Sequence, residues 1–403
     1  MIPRPLYINQ LLRFKDKPVI KIITGIRRCG KSTLLSLFSE QLEKSGIPAS
    51  HIQRFNFESM RWRHIRDSLS LYQEISSHIA PGRNYILLDE VQIVSHWEEA
   101  INSIQVDFDA DLYITGSNAY LLSSELSTLL SGRYVEIAML PFSFKELMTL
   151  PVNMAKEPDA VFQNYLRYGG MPMTSAYDPE TESSEIFRTL EGIYSTVILK
   201  DVIERNHISD PAMLRRLMLF LADNVGNPVS ALSIAKGMVA AGHARASQPA
   251  VRTVDNYLDM LKNAFILYSV SRYDLKGRSL LKTLGKYYLT DLGFRSMLLG
   301  YRDVDRGHIL ENVVYLELLR RGFRVTIGKI GEKEIDFIAE TPEEVQYIQV
   351  TESMLGEETK KRELAPLRAV PDYHPRLVLS MDRNFADSYE GIQVKNIIDW
   401  LLS

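Results

Sequence analysis

The residues best suited to chemistry stand in one short segment, residues 25–32, with the sequence Gly-Ile-Arg-Arg-Cys-Gly-Lys-Ser. This segment matches the G-x-x-x-x-G-K-[ST] pattern of a phosphate-binding loop. Its backbone N–H groups would cradle phosphates, while Lys31 adds a positive charge and the Ser32 hydroxyl binds Mg²⁺. We therefore predict a nucleotide site made by the loop and the residue that follows it: Gly25, Ile26, Arg27, Arg28, Cys29, Gly30, Lys31, Ser32 and Thr33.

Two elements must hold this loop in position. The apolar run of residues 19–24 precedes it and is typical of a buried strand, and residues 32–40 follow it with helical spacing. A strand, a glycine-containing loop and a helix in this order are the setting in which the motif binds phosphate. The sequence therefore predicts an α/β nucleotide-binding core.

A second chemical motif ends another buried-strand pattern. Residues 85–88 are apolar and lead directly into Asp89 and Glu90. A parallel strand would deliver Asp89 to the carboxyl edge of the sheet, where its carboxylate can bind Mg²⁺. Glu90 would then orient and deprotonate an attacking water. A solvated strand end is the alternative, but an Asp-Glu pair downstream of a phosphate-binding loop favours nucleotide hydrolysis.

The next strand pattern, residues 111–116, ends in Ser117 and Asn118. We expect this strand between the loop strand and the Asp89 strand, where Ser117 or Asn118 would contact the terminal phosphate or the water. Alternatively, the two residues only cap the following helix, predicted over residues 124–130. Arg133 comes after that helix and before strand 134–139, so it is either an arginine finger for a neighbouring subunit or a surface ion-pair residue.

These residues together resemble the core of a AAA+ ATPase. The chain resembles in particular a prokaryotic family in which an AAA+ core precedes a winged helix and a C-terminal restriction-endonuclease-like domain of unknown function. The resemblance implies ATP and Mg²⁺ as cofactors, with Ser32 and Asp89 as metal ligands and Lys31, Glu90, Asn118 and Arg133 as catalytic residues. It also implies a five-stranded parallel sheet, a helical lid and assembly into a homo-oligomeric ring or filament.

The same resemblance divides the chain. We expect the AAA+ core over residues 1–145, a helical lid over 146–208, a winged helix over 209–303 and the endonuclease-like domain over 304–403. In the lid, Gly170 and Pro172 belong to a Gly-x-Pro segment that packs near the adenine base in related ATPases. A plain helix–helix turn explains the same residues equally well.

The predicted winged helix carries a local excess of positive charge. Its predicted elements are helices 212–223, 230–238 and 249–263, then strands 265–273 and 286–289 around Gly277. A third helix and a basic wing often contact DNA, but winged helices also bind proteins. The candidate DNA contacts are Arg252, Arg272, Lys276, Arg278 and Lys282, and Lys286 continues the basic stripe.

The C-terminal segment predicts a helix over residues 307–321 with Glu311 near its start, followed by strands that contain Asp336 and residues 349–351. An active endonuclease of this fold needs an acid-x-Lys motif on the last of these strands to bind Mg²⁺ and position water. This chain has Gln349 and Thr351 at those places, so we expect an inactive domain kept for DNA or partner contact. The charged run 357–363 predicts a solvated helix face.

Composition limits the classes of protein to which the chain can belong. The 403-residue chain has a net charge of −3, one cysteine and no apolar run long enough for a membrane span, so we expect a cytoplasmic protein. The leading hypothesis is an ATPase that couples nucleotide state to assembly and to DNA binding or remodelling. The rivals are a nucleotide-gated protein-interaction switch without DNA, and an ATP-regulated nuclease with a relocated lysine.

Overall fold

The computed structural model describes residues 2–119, 130, 132–240, 249–302, 306–383 and 388–403. The chain forms two compact units. The first comprises Met1–Pro141 and the short piece Asn263–Phe265, and the second comprises Phe142–Lys262 and Ile266–Ser403. The predicted boundary at residue 145 therefore lies four residues beyond the end of the first unit's main segment.

The first unit is built on a parallel sheet. Its described strands are β1 (Ile20–Thr24), β2 (Ile52–Asn56), β3 (Asn84–Asp89), β4 (Ala110–Gly116) and β5 (Tyr134–Ala138). They lie in the order β2-β3-β4-β1-β5, and all the pairings are parallel. This order confirms the prediction that the strand after the Asp89 strand is inserted beside the loop strand.

Sequence patterns account for this order. β1 and β3 are buried along their whole length, as expected for apolar strands covered on both faces, whereas the edge strand β2 alternates between buried and exposed residues. The described helices of this unit are α1 (Pro5–Phe14), α2 (Lys31–Lys44), α3 (Ser68–Ser77) and α4 (Trp97–Asp107), with 3₁₀ turns at Ala49–His51, Met60–Trp62 and Val91–Ile93. Of the helix predicted over residues 124–130, all but Leu130 lies outside the described residues.

The second unit begins with helices. Its described helices are α5 (Phe144–Met148), α6 (Pro158–Tyr168), α7 (Ser183–Thr196), α8 (Pro211–Asp223), α9 (Ala231–Ala240), α10 (Val251–Asn263), α11 (Leu292–Leu299), α12 (Arg306–Arg320), α13 (Glu357–Arg368) and α14 (Ile397–Leu402). A 3₁₀ helix covers Pro172–Ala176, and a π-helix, Val197–Glu204, continues α7. Asp210 caps α8 and Asp291 caps α11, each by accepting a backbone N–H bond.

A mixed sheet completes this unit. Its strands are β6 (Leu267–Asp274), β7 (Ser279–Leu289), β8 (Arg324–Ile330), β9 (Lys333–Glu340), β10 (Val345–Thr351), β11 (Arg376–Ser380), β12 (Ser388–Tyr389) and β13 (Ile392–Asn396). The order is β12-β13-β11-β10-β9-β8-β6-β7. β6 and β7 are the hairpin predicted around Gly277, and β6 pairs with β8. One sheet therefore crosses the boundary predicted at residue 303, because the hairpin joins the C-terminal strands.

Membrane insertion was not expected from the sequence. Among the residues that the structure describes, every helix is too short or too polar to cross a bilayer.

Candidate functional site

The phosphate-binding loop connects β1 to α2 through two glycines with positive φ. Gly25 has φ +144°, and a Cβ there would lie 2.1 Å from the carbonyl oxygen of Met139. Gly30 has φ +107° at the N-cap of α2. Lys31 folds back over the loop, and its Nζ donates to the carbonyl oxygens of Gly25 at 2.9 Å and Ile26 at 3.2 Å. The loop thus has the geometry of a phosphate cradle at a helix N-terminus.

The remaining loop residues divide into buried and exposed groups. Ile26 and Cys29 are buried, and burial raises the pKa of the Cys29 thiol, so these two side chains face the core and leave only their backbone for a ligand. Arg27 pairs with Glu58 at 2.7 Å, and Arg28 has φ +70°. Thr33 is exposed on the first turn of α2.

An arginine from the lead-in segment supports the loop from behind. Arg4 is 2% exposed, and its guanidinium donates to the carbonyl oxygens of Cys29 at 3.2 Å and Leu140 at 2.8 Å. The Tyr7 hydroxyl accepts a bond from the Leu140 N–H at 3.0 Å. Together they fasten the loop to the end of the first unit's main segment.

Asp89 lies at the carboxyl end of β3, within a hydrogen-bonded group. Its carboxylate accepts from the Thr115 hydroxyl at 2.6 Å and from Asn56 Nδ2 at 2.8 Å, and the Ser32 hydroxyl also bonds to it. Burial raises the pKa of Asp89 above its ordinary value, although the bonds from Thr115 and Ser32 act in the opposite direction. Ser32 and Asp89, predicted as a pair, are therefore neighbours.

Glu90 follows with a backbone that few non-glycine residues adopt, at φ +55°. Its N–H donates to the Thr115 hydroxyl at 3.0 Å, so that one hydroxyl bridges Asp89 and Glu90. Ser117 Oγ donates to Glu90 Oε2 at 3.2 Å, and Lys31 Nζ lies 3.8 Å from Glu90 Oε1. Glu90 as a whole is 6% exposed, and it is held at the same sheet edge as the loop.

This edge has the donor set for a magnesium ion bound with a nucleotide. A serine hydroxyl and one carboxylate are adjacent, and Mg²⁺ usually takes one or two such protein ligands while phosphates and waters fill its other positions. In the described part of the chain, no group of three or more His, Cys, Asp or Glu residues has the arrangement of an all-protein metal site. The residues therefore fit a metal that binds together with a nucleotide, with Ser32 and Asp89 as its two protein ligands.

Two predicted catalytic residues, Asn118 and Arg133, lie at different edges of the parallel sheet. Asn118 is 3% exposed, directly after Ser117 at the end of β4. Arg133 is exposed and precedes β5, where its carbonyl oxygen bonds to the N–H of Ile20 at the start of β1. In a parallel sheet the strand starts lie at the opposite edge from the strand ends, so Arg133 is remote from its own chain's loop. Its action on a neighbour's nucleotide stays a prediction.

The Gly169-Gly170 turn packs around a buried acid. The Gly170 N–H donates to Asp291 Oδ2 at 2.7 Å, and a Cβ on Gly169 would lie 1.8 Å from Asp291 Oδ1. Burial raises the pKa of Asp291 to about 7. These contacts give the glycines a turn role, and Pro172 begins the 3₁₀ helix beyond them. The contact of Pro172 with adenine stays a prediction.

The basic stripe of the hairpin is only partly solvated, and its contact with DNA stays a prediction. Arg272 pairs with Glu334 at 3.2 Å, with a side chain 13% exposed, and Lys286 is buried in ion pairs. Strand pairing with the C-terminal segment puts carboxylates beside both residues. Arg252, Lys276 and Arg278 are exposed, and the side chain of Lys282 lies outside the described structure.

The C-terminal segment contains an open cavity of about 830 Å³. Glu311 and Asp336 line it, as the predicted pairing requires, together with Gln349 and Thr351. Glu363 lines it too and is 7% exposed, so the run 357–363 is not a fully solvated face as predicted. Gln349 Nε2 donates to Glu363 Oε2 at 3.0 Å.

Lys286 reaches the same residues from β7. Burial opposes its charge, but the carboxylates of Glu311, Asp336 and Glu334 raise its pKa above the ordinary value. Burial likewise opposes the charge of Glu311, yet the Lys286 ammonium holds the pKa of Glu311 below its ordinary value. For Asp336, burial and then the Glu311 carboxylate raise the pKa.

Sequence reasoning missed three contributors to the nucleotide edge. Asn56 ends the strand beside β3, and a polar residue at a neighbouring strand end was the available signal. Gln92 donates to Glu90 from the 3₁₀ turn that follows it. Arg4 had no signal, since its contacts with Cys29 and Leu140 join residues far apart in the chain.

Known proteins share this organisation. Residues 17–148 match a family described as an AAA domain, and residues 159–305 match a domain of unknown function (DUF8612). An uncharacterized protein of Haemophilus influenzae is 37% identical over 406 residues, covering 100% of this chain and 99% of that protein. The uncharacterized protein MJ1544 of Methanocaldococcus jannaschii is 29% identical over 374 residues, covering 89% of this chain and 80% of that protein.

A solved structure gives the same fold. A Walker-type ATPase of Pyrococcus abyssi superposes with a TM-score of 0.53 at 15% identity, covering 74% of this chain and 96% of that one. The loop, the Asp89 strand and the inserted β4 are the features that such a fold requires. Since the Haemophilus similarity extends from end to end, the chain belongs to the same family as that protein, and its residues 17–148 are an AAA domain with the fold of a P-loop ATPase.

Proposed function

We propose that this protein is a Mg²⁺-dependent ATPase. The observation that carries the proposal is the single sheet edge where the α2 N-terminus, Lys31, Asp89 and Glu90 meet. The Thr115 hydroxyl links the two acids there, since it donates to the Asp89 carboxylate at 2.6 Å and accepts from the Glu90 N–H at 3.0 Å. A phosphate cradle with one metal-binding acid and one further acid is the minimum that phosphoryl transfer to water requires.

Each residue has a distinct role in the proposed reaction. Lys31 gives up its bonds to the loop carbonyls of Gly25 and Ile26 and pairs with phosphate oxygens, which are stronger acceptors for an ammonium. Glu90, oriented by Ser117, takes the proton of the attacking water. Ser32 and Asp89 would hold the metal, which would supply positive charge to neutralise the phosphates.

The proposal includes a neighbouring subunit and DNA as partners of the ATPase. The exposed Arg133 suits an arginine finger acting on a neighbour in a ring or filament. The exposed Arg252, Lys276 and Arg278 suit contacts with DNA phosphates, while the pairing of Arg272 with Glu334 weakens that part of the hypothesis. A protein partner for the same surface is the competing interpretation.

The replacement Glu90→Gln tests the chemistry. We expect the turnover number to fall by roughly 10²-fold or more, because the general base is lost, while ATP affinity changes by less than about threefold. Glu43→Gln is the matched control, since it makes the same change at an exposed position of α2. Light scattering on the same samples, with and without ATP, reports assembly.

The possible results separate the rivals. Full turnover in the Glu90→Gln protein would show that Glu90 is not the base. ATP binding without measurable turnover in the wild-type protein, with or without DNA, would favour the nucleotide-gated switch.

A further inference from the structure

The cavity of the second unit has an unusual density of buried carboxylates. Glu311, Asp336 and Glu363 line it and are 5%, 7% and 7% exposed, and Glu334 stands beside them. Carboxylates at such close range cannot all ionise without a neighbouring cation. In an active endonuclease of the fold that this segment resembles, acids at the places of Glu311 and Asp336 bind a divalent metal, whereas Gln349 and Thr351 leave the motif incomplete in this chain.

The structure has an ammonium at that point. Lys286 Nζ lies 2.9 Å from Glu311 Oε2, 3.2 Å from Glu334 Oε1 and 3.7 Å from Asp336 Oδ1. The side chain is 3% exposed. Three carboxylates on two elements, α12 and β9, therefore converge on one nitrogen that β7 contributes.

The carboxylate oxygens have other partners as well. Glu311 Oε2 also accepts from the Tyr288 hydroxyl, and Oε1 lies 3.0 Å from His308 Nδ1. Asp336 Oδ2 accepts from the Val350 N–H at 2.8 Å.

Glu363 is equally engaged. Its Oε2 accepts from Gln349 and its Oε1 accepts from Arg362. Every carboxylate oxygen of Glu311, Asp336 and Glu363 thus has a donor or a cation within reach.

A divalent metal does not fit this arrangement. Mg²⁺ and Ca²⁺ need about six oxygen ligands around a vacant centre. Here the centre is filled by Nζ, and among the described residues no group of three or more His, Cys, Asp or Glu side chains is arranged to hold a metal ion. A second cation beside the ammonium would also be repelled by it.

We propose that the Lys286 ammonium is the resident cation of this cavity and takes the place of a divalent metal. The C-terminal site is therefore metal-independent and performs no metal-assisted cleavage of nucleic acid. The ammonium also ties the hairpin strand β7 to α12 and β9, so that the charge balance and the packing of the sheet depend on the same side chain. Removing the amine opens a centre surrounded by carboxylates, which should bind a divalent metal.

Mn²⁺ binding to the full-length, nucleotide-free chain tests this proposal. All proteins carry Asp89→Asn, which removes the other candidate metal ligand, and free Mn²⁺ is followed by electron paramagnetic resonance at about 0.1 mM metal. We expect one Mn²⁺ to bind per chain after Lys286→Ala, at least about tenfold tighter than any Mn²⁺ binding that the parent shows. Adding Glu311→Gln and Asp336→Asn should abolish that gain, and Lys286→Arg, which keeps the charge, should show none.

Three results would overturn the proposal. One is Mn²⁺ binding by the parent that Asp336→Asn removes, and another is the absence of any gain in a folded Lys286→Ala protein. The third is Mg²⁺- or Mn²⁺-dependent cleavage of labelled DNA by the wild-type protein that Asp336→Asn abolishes. If Lys286→Ala does not fold, Lys286→Ser serves as the second variant, and the parent and cleavage measurements still decide.

Discussion

Replacing Thr115 by valine should damage both acids of the nucleotide site at once. Valine has the shape of threonine but lacks the hydroxyl that donates to Asp89 and accepts from the Glu90 N–H. Thr115 is fully buried, so water cannot replace either bond. The substitution therefore isolates one oxygen atom with little change in packing.

The magnitude follows from these two bonds. A hydrogen bond to a charged carboxylate contributes about 1.5–3 kcal/mol, and a buried N–H without a partner costs about 1–3 kcal/mol. We expect a loss of roughly 3 kcal/mol or more in the stability of the first unit, which lowers its melting temperature by about 10 °C. Because the Glu90 carboxylate depends on that backbone, the turnover number should fall about 10- to 100-fold with little change in KM.

The pH dependence provides a second readout. The Thr115 hydroxyl lowers the pKa of Asp89, while burial raises it. Removing the hydroxyl raises that pKa further, so Asp89 loses its charge at a higher pH and the acidic limb of the rate profile moves upward. Thr115→Ser keeps the hydroxyl and serves as the control. If the valine and serine proteins have the same melting temperature, turnover and acidic limb, the bridging role of Thr115 is refuted.

Two further predictions concern the second unit. Burial raises the pKa of Asp291 to about 7 in the folded protein, so as the pH rises the unfolded chain loses this proton first, and the group makes stability fall between about pH 4 and pH 7. Melting temperatures at several pH values should show that slope in the wild-type protein but not in Asp291→Asn. Equal slopes in the two proteins would contradict the prediction. Neutralising Lys276 and Arg278 together should weaken DNA binding and reduce by roughly 2 the slope of log affinity against log salt concentration. Lys333→Ala is the control, because it removes one exposed positive charge from β9. An unchanged affinity in the double variant would remove the hairpin from the DNA hypothesis.

The sequence was sufficient for the nucleotide edge because its information is local. Gly25 and Gly30 are needed for backbone angles within the loop, and Lys31 and Ser32 are attached to the helix that begins there. Asp89 could be predicted from one apolar strand, since parallel strands end at a common edge. The position of β4 followed from the same topology.

The supporting contacts of that edge could not be predicted as easily. Arg4 bonds to Cys29 and to Leu140, and no periodicity or motif connects these residues. Thr115 belonged to a recognised segment, but its bridging of Asp89 and Glu90 depends on the register between β3 and β4. Both strands are buried along nearly their whole length, so they lack the alternation of apolar and polar residues from which register could be predicted.

The basic hairpin shows most clearly where charge patterns stop being informative. Lys276 and Arg278 follow Asp274 at the turn, where the strands separate and side chains reach solvent. Arg272 and Lys286 have the same charge and the same stretch of sequence, yet both contact carboxylates of β9 and Lys286 also contacts Glu311 of α12. Burying a lysine requires carboxylate partners, and the chain supplies them from α12 and β9, both of which follow the hairpin in the sequence. A cluster of basic residues therefore indicates a nucleic-acid surface only for those residues that are not paired with acids elsewhere in the same sheet. Among the described side chains of this hairpin, the solvent-exposed basic residues are Lys276 and Arg278 at the turn.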